Sequence, residues 1–195
     1  MGKLKSRATY ADLERLPENM VGEILDGELF ASPRPASPHA VAASNIGGEL
    51  YGPFGRRGGG GGPGGWWFLL EPELHFGQDV LVPDLAGWRR ERMPRVPDVK
   101  AFELPPDWVC EVISPSTARI DRTRKARIYA RAGVRHRWYV DPLARTLEVF
   151  RLQDRQWLQV AEYDGDVRVR AEPFDAIELD LTHWWLEPDP DAPPE

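Results

Sequence analysis

The chain has 195 residues, 42% of them apolar, with eight tryptophans and a formal net charge of −6. That is enough apolar material for one packed domain, and the overall acidity argues against a nonspecific nucleic-acid coat. A single cysteine, Cys110, excludes an intrachain disulfide framework and any cysteine-based zinc site. No apolar run reaches the ~20 residues of a membrane-spanning helix and no signal-peptide h-region follows the start, so a cytoplasmic protein without membrane partners is expected.

Taken in order, Thr9 to Leu16 reads as a short capped helix stopped by Pro17. Val21–Leu25 and Glu28–Ala31 flank Asp26-Gly27, a strong hairpin signal. Glu23 and Glu28 belong to this hairpin; exposure is the expected state of a strand glutamate, an inward-facing Glu23 being the alternative. Residues 32–38 form a proline-rich loop. A helix is expected from His39 to about Tyr51, with His39, Ala43, Ile46 and Leu50 on one stripe, which makes His39 either a structural histidine or part of a site. The glycine-rich run 55–65 lacks the strand–loop–helix setting of a phosphate-cradling loop and reads as a flexible surface loop. Trp66–Leu70 is expected to continue as one strand to Phe76, with Glu71 and Glu73 on a common face and one of them available as a carboxylate.

Val80–Trp88 is the next expected strand, and Asp84 follows Pro83 inside its apolar run. Trp108 to Ile113 is apolar on both alternating faces apart from Glu111, the pattern of a strand covered on both sides. Burying a lone carboxylate costs several kcal/mol unless it finds a cation, a donor or a proton. Glu111 is therefore read as a metal ligand. With Asp84 on a neighbouring strand it makes a divalent-cation site, because hard cations take oxygen donors.

After the Ser-Pro-Ser-Thr run at 114–117, Asp121 is expected to N-cap a helix that reaches Ala132 and stops at Gly133. Lys125, Ile128, Tyr129 and Ala132 are spaced i, i+3, i+4, i+7 and share one face, with Arg124, Arg127 and Arg131 largely on the other. Lys125 thus points with the apolar stripe toward the sheet and Glu111, an uncommon direction for an unpartnered lysine. From Arg119 to Arg137, seven arginines and one lysine stand against Asp121, a local balance of +7, and Arg89, Arg90, Arg92 and Arg95 form a second basic patch. Such asymmetry suits a phosphate-bearing ligand or, more plainly, a solvated helix face. Arg137–Asp141, Leu147–Leu152, Trp157–Tyr163 and Asp166–Arg170 are expected strands, and Ile177–Leu181 with Trp184 and Trp185 closes the fold. One α/β domain over 1–185 and a disordered acidic, proline-rich tail over 186–195 follow.

Pro83-Asp84, the run from Glu111 to Thr117, Asp121 with Lys125 and Tyr129, Gly133-Val134, Trp138 and Val140-Asp141-Pro142 together resemble the Uma-type restriction endonucleases, a bacterial branch of the PD-(D/E)XK nuclease superfamily. The likeness runs from about Val21 through Trp185. It implies an α/β (α+β) restriction-endonuclease-like fold, a mixed β-sheet flanked by helices with additional antiparallel strands near the C-terminus. It further implies a Mg²⁺- or Mn²⁺-dependent endonuclease cutting phosphodiester bonds of DNA, with Asp84 and Glu111 as catalytic acids and metal ligands and Lys125 as catalytic lysine. The superfamily sets its lysine two positions after the glutamate; Ile113 stands there, and Lys125 resembles a lysine relocated to the following helix. In this scheme the Val112 carbonyl joins the acids at the metal and Lys125 positions the attacking water. Accessory candidates are Glu23, His39, Glu73, Ser114, Asp121 as partner of Lys125, and Arg122 as a grip on the phosphate backbone. Nucleic acid, DNA first, is the implied partner, and a homodimer would bring two sites to a double-strand cut. Two alternatives stay open: a noncatalytic DNA- or protein-binding module on the same scaffold, and a hydrolase using Glu111 with another carboxylate as acid and base.

Overall fold

The computed structural model describes residues 7–56 and 62–187. The middle of the glycine-rich run (57–61) and nearly all of the expected tail (188–195) lie outside the described residues. The chain opens with a short helix, α1 (Tyr10–Leu13), and the hairpin β1 (Met20–Leu25) and β2 (Glu28–Pro33). Asp26 and Gly27 both adopt positive φ, 53° and 80°, as a tight two-residue turn between right-twisted strands requires. Helix α2 (Ser37–Leu50) starts two residues before the expected position, Pro38 being placed in its first turn, where a missing N–H costs nothing.

Two expected strands are each split in two. Trp66–Phe76 breaks at Glu71, whose φ of 45° no strand tolerates, leaving β3 (Trp66–Leu70) and β4 (Leu74–Phe76). Val80–Trp88 breaks at Pro83-Asp84 into β5 (Asp79–Leu81) and β6 (Leu85–Arg89), proline having no N–H for a central ladder. The halves belong to different sheets. One sheet has the order β2-β1-β5-β4. The larger has the order β10-β9-β8-β7-β6-β3, with β7 (Trp108–Val112), β8 (His136–Asp141), β9 (Thr146–Gln153) and β10 (Gln156–Asp164). Among the described strands only β7 and β8 pair in parallel, and their crossover is the basic helical segment. Toward the C-terminus the expected strand Asp166–Arg170 shrinks to two residues, β11 (Arg168–Val169), paired with β12 (Leu179–Asp180) of the closing segment.

The crossover helix has three parts: α3 (Ala118–Ile120), a π-helical turn Asp121–Lys125, and α4 (Ala126–Ala132). Thr117, not Asp121, occupies the N-cap position. Asp121 lies one turn inside the helix and is 4% exposed, because its carboxylate is turned toward Lys125 rather than toward the helix end. At the other end Gly133 takes φ 82° and its N–H reaches back to the last turn, as expected. A Cβ there would meet open space, so the cost of Gly133→Ala is backbone strain alone. Denaturant titration is expected to show a loss of about 1 kcal/mol; an unchanged midpoint would mean that the turn does not need this conformation.

Side-chain alternation along β7 defines the layers. Trp108, Cys110 and Val112 face a core containing Ala42, Ile46 and Leu50 of α2 together with Phe174 and Trp184. Val109 faces a second core built from Leu25, Leu74 and Leu81 of the small sheet and Ile128 and Tyr129 of α4. Glu111 shares the parity of Val109, and therefore the side of the sheet on which β1 and α4 lie.

Candidate active site

The register of β6 against β7 pairs Leu85 with Cys110 and Ala86 with Val109. One step further along the same antiparallel ladder brings Asp84 opposite Glu111, where the chain leaves the small sheet for the large one. The Val112 N–H donates to Asp84 Oδ2 at 2.7 Å, which fixes that carboxylate to the end of β7. Its other oxygen lies 3.2 Å from His39 Nε2, delivered from the first turn of α2. Burial works to lower the His39 pKa, but the hydrogen bond and charge of Asp84 outweigh it, so the imidazole is raised above its ordinary value.

Glu111 is 2% exposed and accepts from Lys125 Nζ at 2.8 Å and from the Tyr129 hydroxyl at 2.6 Å. The lysine and the tyrosine lie four residues apart on the inward helical stripe. Lys125 Nζ also sits 3.1 Å from Glu23 and 3.5 Å from Asp121 and donates to the Val82 carbonyl at 3.3 Å. Burial acts against its charge, but Glu111, Glu23 and Asp121 around it keep the pKa well above that of a free lysine. It stays an ammonium at neutral pH. Glu111 is itself pushed well up by burial, Lys125 opposing and the neighbouring acids adding to the rise.

Glu23 departs from its expected exposure. Its side chain is 13% exposed, it holds Lys125 and the Val82 N–H (2.8 Å), and burial raises its pKa. Nothing in the alternation of β1 alone distinguishes this glutamate from a solvent-facing one; the covering layer decides. Two other candidates are placed elsewhere. Glu73 binds Tyr10 and His75 at 3.0 and 2.7 Å, because the break at Glu71 carries it into the small sheet. Arg122 forms a two-pronged ion pair with Glu148 and lies over the Tyr139 ring at 4.7 Å. The wider winding of the π turn puts positions three apart on different faces, so Arg122 looks away from Lys125. Ser114 stays at the rim, bonded to Ser116 and Thr117. Tyr129 reads in the sequence as a member of the apolar stripe and of the family pattern, with no role at the site; its spacing from Lys125 is the available signal for its contact with Glu111.

Asp84, Glu111, Lys125, Glu23, Asp121 and His39 all line one cleft of about 310 Å³, with Arg34, Glu71 and Ser116 also on its wall. Five carboxyl groups, Glu71 included, thus share the cleft with one ammonium, one imidazole and the Arg34 guanidinium.

A family model described as "Putative restriction endonuclease", Uma2, matches residues 8–182. The chain belongs to the Uma2 family. Among solved structures, this Uma2 chain is similar to a protein from Anabaena variabilis ATCC 29413 described as "a putative nuclease belonging to DUF820", with a TM-score of 0.72 and 22% identity. The superposition covers 91% of this chain and 97% of the other, which establishes a common mixed α/β fold. No curated protein matches the sequence at a significant level. Within the Uma2 chain no helix among the described residues is long and apolar enough to cross a membrane.

Proposed function

We propose that the chain is a divalent-metal-dependent endonuclease that hydrolyses phosphodiester bonds of DNA at this cleft. Membership of a restriction-endonuclease family supports nuclease chemistry. The observation that carries the reading is the convergence of Asp84, just before β6, and Glu111 of the adjacent β7 with the buried Lys125 ammonium. The donor set fits a hard cation: carboxylate oxygens in net excess over the positive groups, with no sulfur ligand beside them. Among the described residues no three His, Cys, Asp or Glu side chains form a ready-made cage. Mg²⁺ is usually held by one or two carboxylates while it keeps several waters, and Asp84 and Glu111 would fill that role. When bound, the cation supplies Lewis-acid polarisation of a phosphoryl oxygen.

The protein's own groups do the rest. Lys125, held by three acids and a carbonyl, offers a fixed positive charge to negative charge growing on the phosphate and orients the attacking water, and its raised pKa rules it out as a base at neutral pH. Tyr129 and the Val112 N–H hold the two acids in place, so their directions are set before substrate arrives.

Supercoiled plasmid with Mg²⁺ or Mn²⁺ is expected to be nicked by the wild-type chain and protected by excess chelator. Asp84→Asn, with an unchanged circular-dichroism spectrum, is expected to nick about 100-fold more slowly, the scale of removing a group that stabilises transition-state charge. Nicking that survives chelation, or an Asp84→Asn protein as fast as wild type, would overturn the reading.

A further inference from the structure

A second and larger concavity, about 1090 Å³, lies on the outer face of the crossover helix, between it and β10. Six arginines line it: Arg119, Arg122, Arg124, Arg127, Arg137 and Arg155. No carboxylate does. Glu148 neutralises Arg122 and Glu28 pairs with Arg124 from the margin, while Arg119, Arg127 and Arg155 make no ion pair among the described residues.

Arg137 is the unusual member. It is only 4% exposed, yet among the described residues its guanidinium has no carboxylate partner. It lies instead among the rings of Tyr139, Phe150 and Trp157, at 4.4, 4.5 and 4.4 Å. Among the described residues its Nε and Nη1 find no acceptor. A buried guanidinium with idle donors is costly unless something supplies the missing oxygens, and the aromatic faces provide attraction but no acceptor. The two concavities meet at one residue, Ser116, which lines both the groove and the carboxylate cleft.

We propose that the arginine groove is a binding site for the sugar–phosphate backbone of nucleic acid, gripping the strand that runs on from the cleft across Ser116. This rests on the nuclease reading for the identity of the strand, but the site itself stands on the groove. Forked guanidinium donors match phosphate oxygens two at a time, and Trp157 and Phe30 give the wall an aromatic surface beside the basic one. The groove occupies the side of the helix opposite Lys125, so one element would serve both tasks, its inner stripe holding the acids and its outer stripe the strand.

The test is fluorescence anisotropy of a labelled DNA oligonucleotide, single-stranded and as duplex, in chelator so that no cleavage intervenes. Arg119→Glu/Arg127→Glu changes two exposed side chains and is expected to weaken binding at least tenfold and to reduce the slope of log affinity against log salt by about 1.5. Arg15→Glu/Lys100→Glu, an equal change of charge at exposed positions outside the groove and the cleft, is expected to have less than a third of that effect. Asp84→Asn is expected to bind within about twofold of wild type, phosphate contacts in the groove being independent of that acid. Equal losses in the two double variants, an unchanged affinity for both DNA forms in the first, or competition by polyglutamate as effective as by unlabelled DNA would each overturn the site. Loss of binding in the groove variant together with a wild-type chain that cuts no plasmid would uphold the groove and remove only the catalytic reading.

Discussion

Lys125→Met is expected to abolish plasmid nicking and to cost about 3–5 kcal/mol of stability at neutral pH, the usual penalty for removing one partner of a buried ion pair. Three carboxylates meet at this ammonium, and Glu111 and Glu23 already have raised pKa values with the lysine present. Without it their pKa values climb further. A carboxyl whose folded pKa exceeds its unfolded value keeps a proton that the unfolded chain has released. Stability is then full below the unfolded value, near 4.5, and is lost as pH rises through the folded one. The Met variant should therefore recover relative to wild type as pH is lowered from neutral toward about 5, the reverse of ordinary acid denaturation. Urea midpoints for both proteins across that range measure it. A difference between the two that does not change with pH would mean the acids are not held by Lys125.

Glu111→Gln should separate chemistry from folding. Glutamine is nearly isosteric, its carbonyl can accept from Lys125, and its amide can donate to the Tyr129 oxygen, so both contacts made by the glutamate have a counterpart. Thermal midpoint is expected to move by only a few degrees. Nicking is expected to fall about a thousandfold, roughly 4 kcal/mol, because the charge that would hold the cation against the phosphate is gone. Single-turnover rates at saturating Mn²⁺ decide it: a variant retaining a tenth of the wild-type rate places Glu111 outside the reacting groups.

Much of this arrangement is local and therefore legible in the chain. The two-residue turn at Asp26-Gly27 states its own geometry, and Gly133 marks the end of its helix. The alternation from Trp108 to Val112 announces a strand covered on both faces, with one carboxylate out of place. Helical spacing put Lys125 on the inward stripe with Tyr129, and both side chains are found on Glu111. Each of these rests on contacts within a turn or two, where residue type and period suffice.

What failed to show did so for a common reason. The apolar runs at Trp66–Phe76 and Val80–Trp88 look continuous, but each crosses from one sheet to the other, and periodicity is blind to a change of layer. That crossing sets Asp84 against Glu111 and removes Glu73. Glu23 turns inward only because Lys125 of the π turn and Val82, just past β5, lie over it. Arg122 turns outward because a π turn widens the helix at that point, and Arg137 finds three aromatic rings contributed by β8, β9 and β10.

The sequence by itself determined which side chains could not remain alone: two acids in apolar strands, a lysine on an apolar stripe, and a crowd of arginines on one segment. Only the tertiary structure decided which of them meet. A period reports the face a residue takes on its own element, whereas the energy of a buried charge depends on what another element places a few ångströms away.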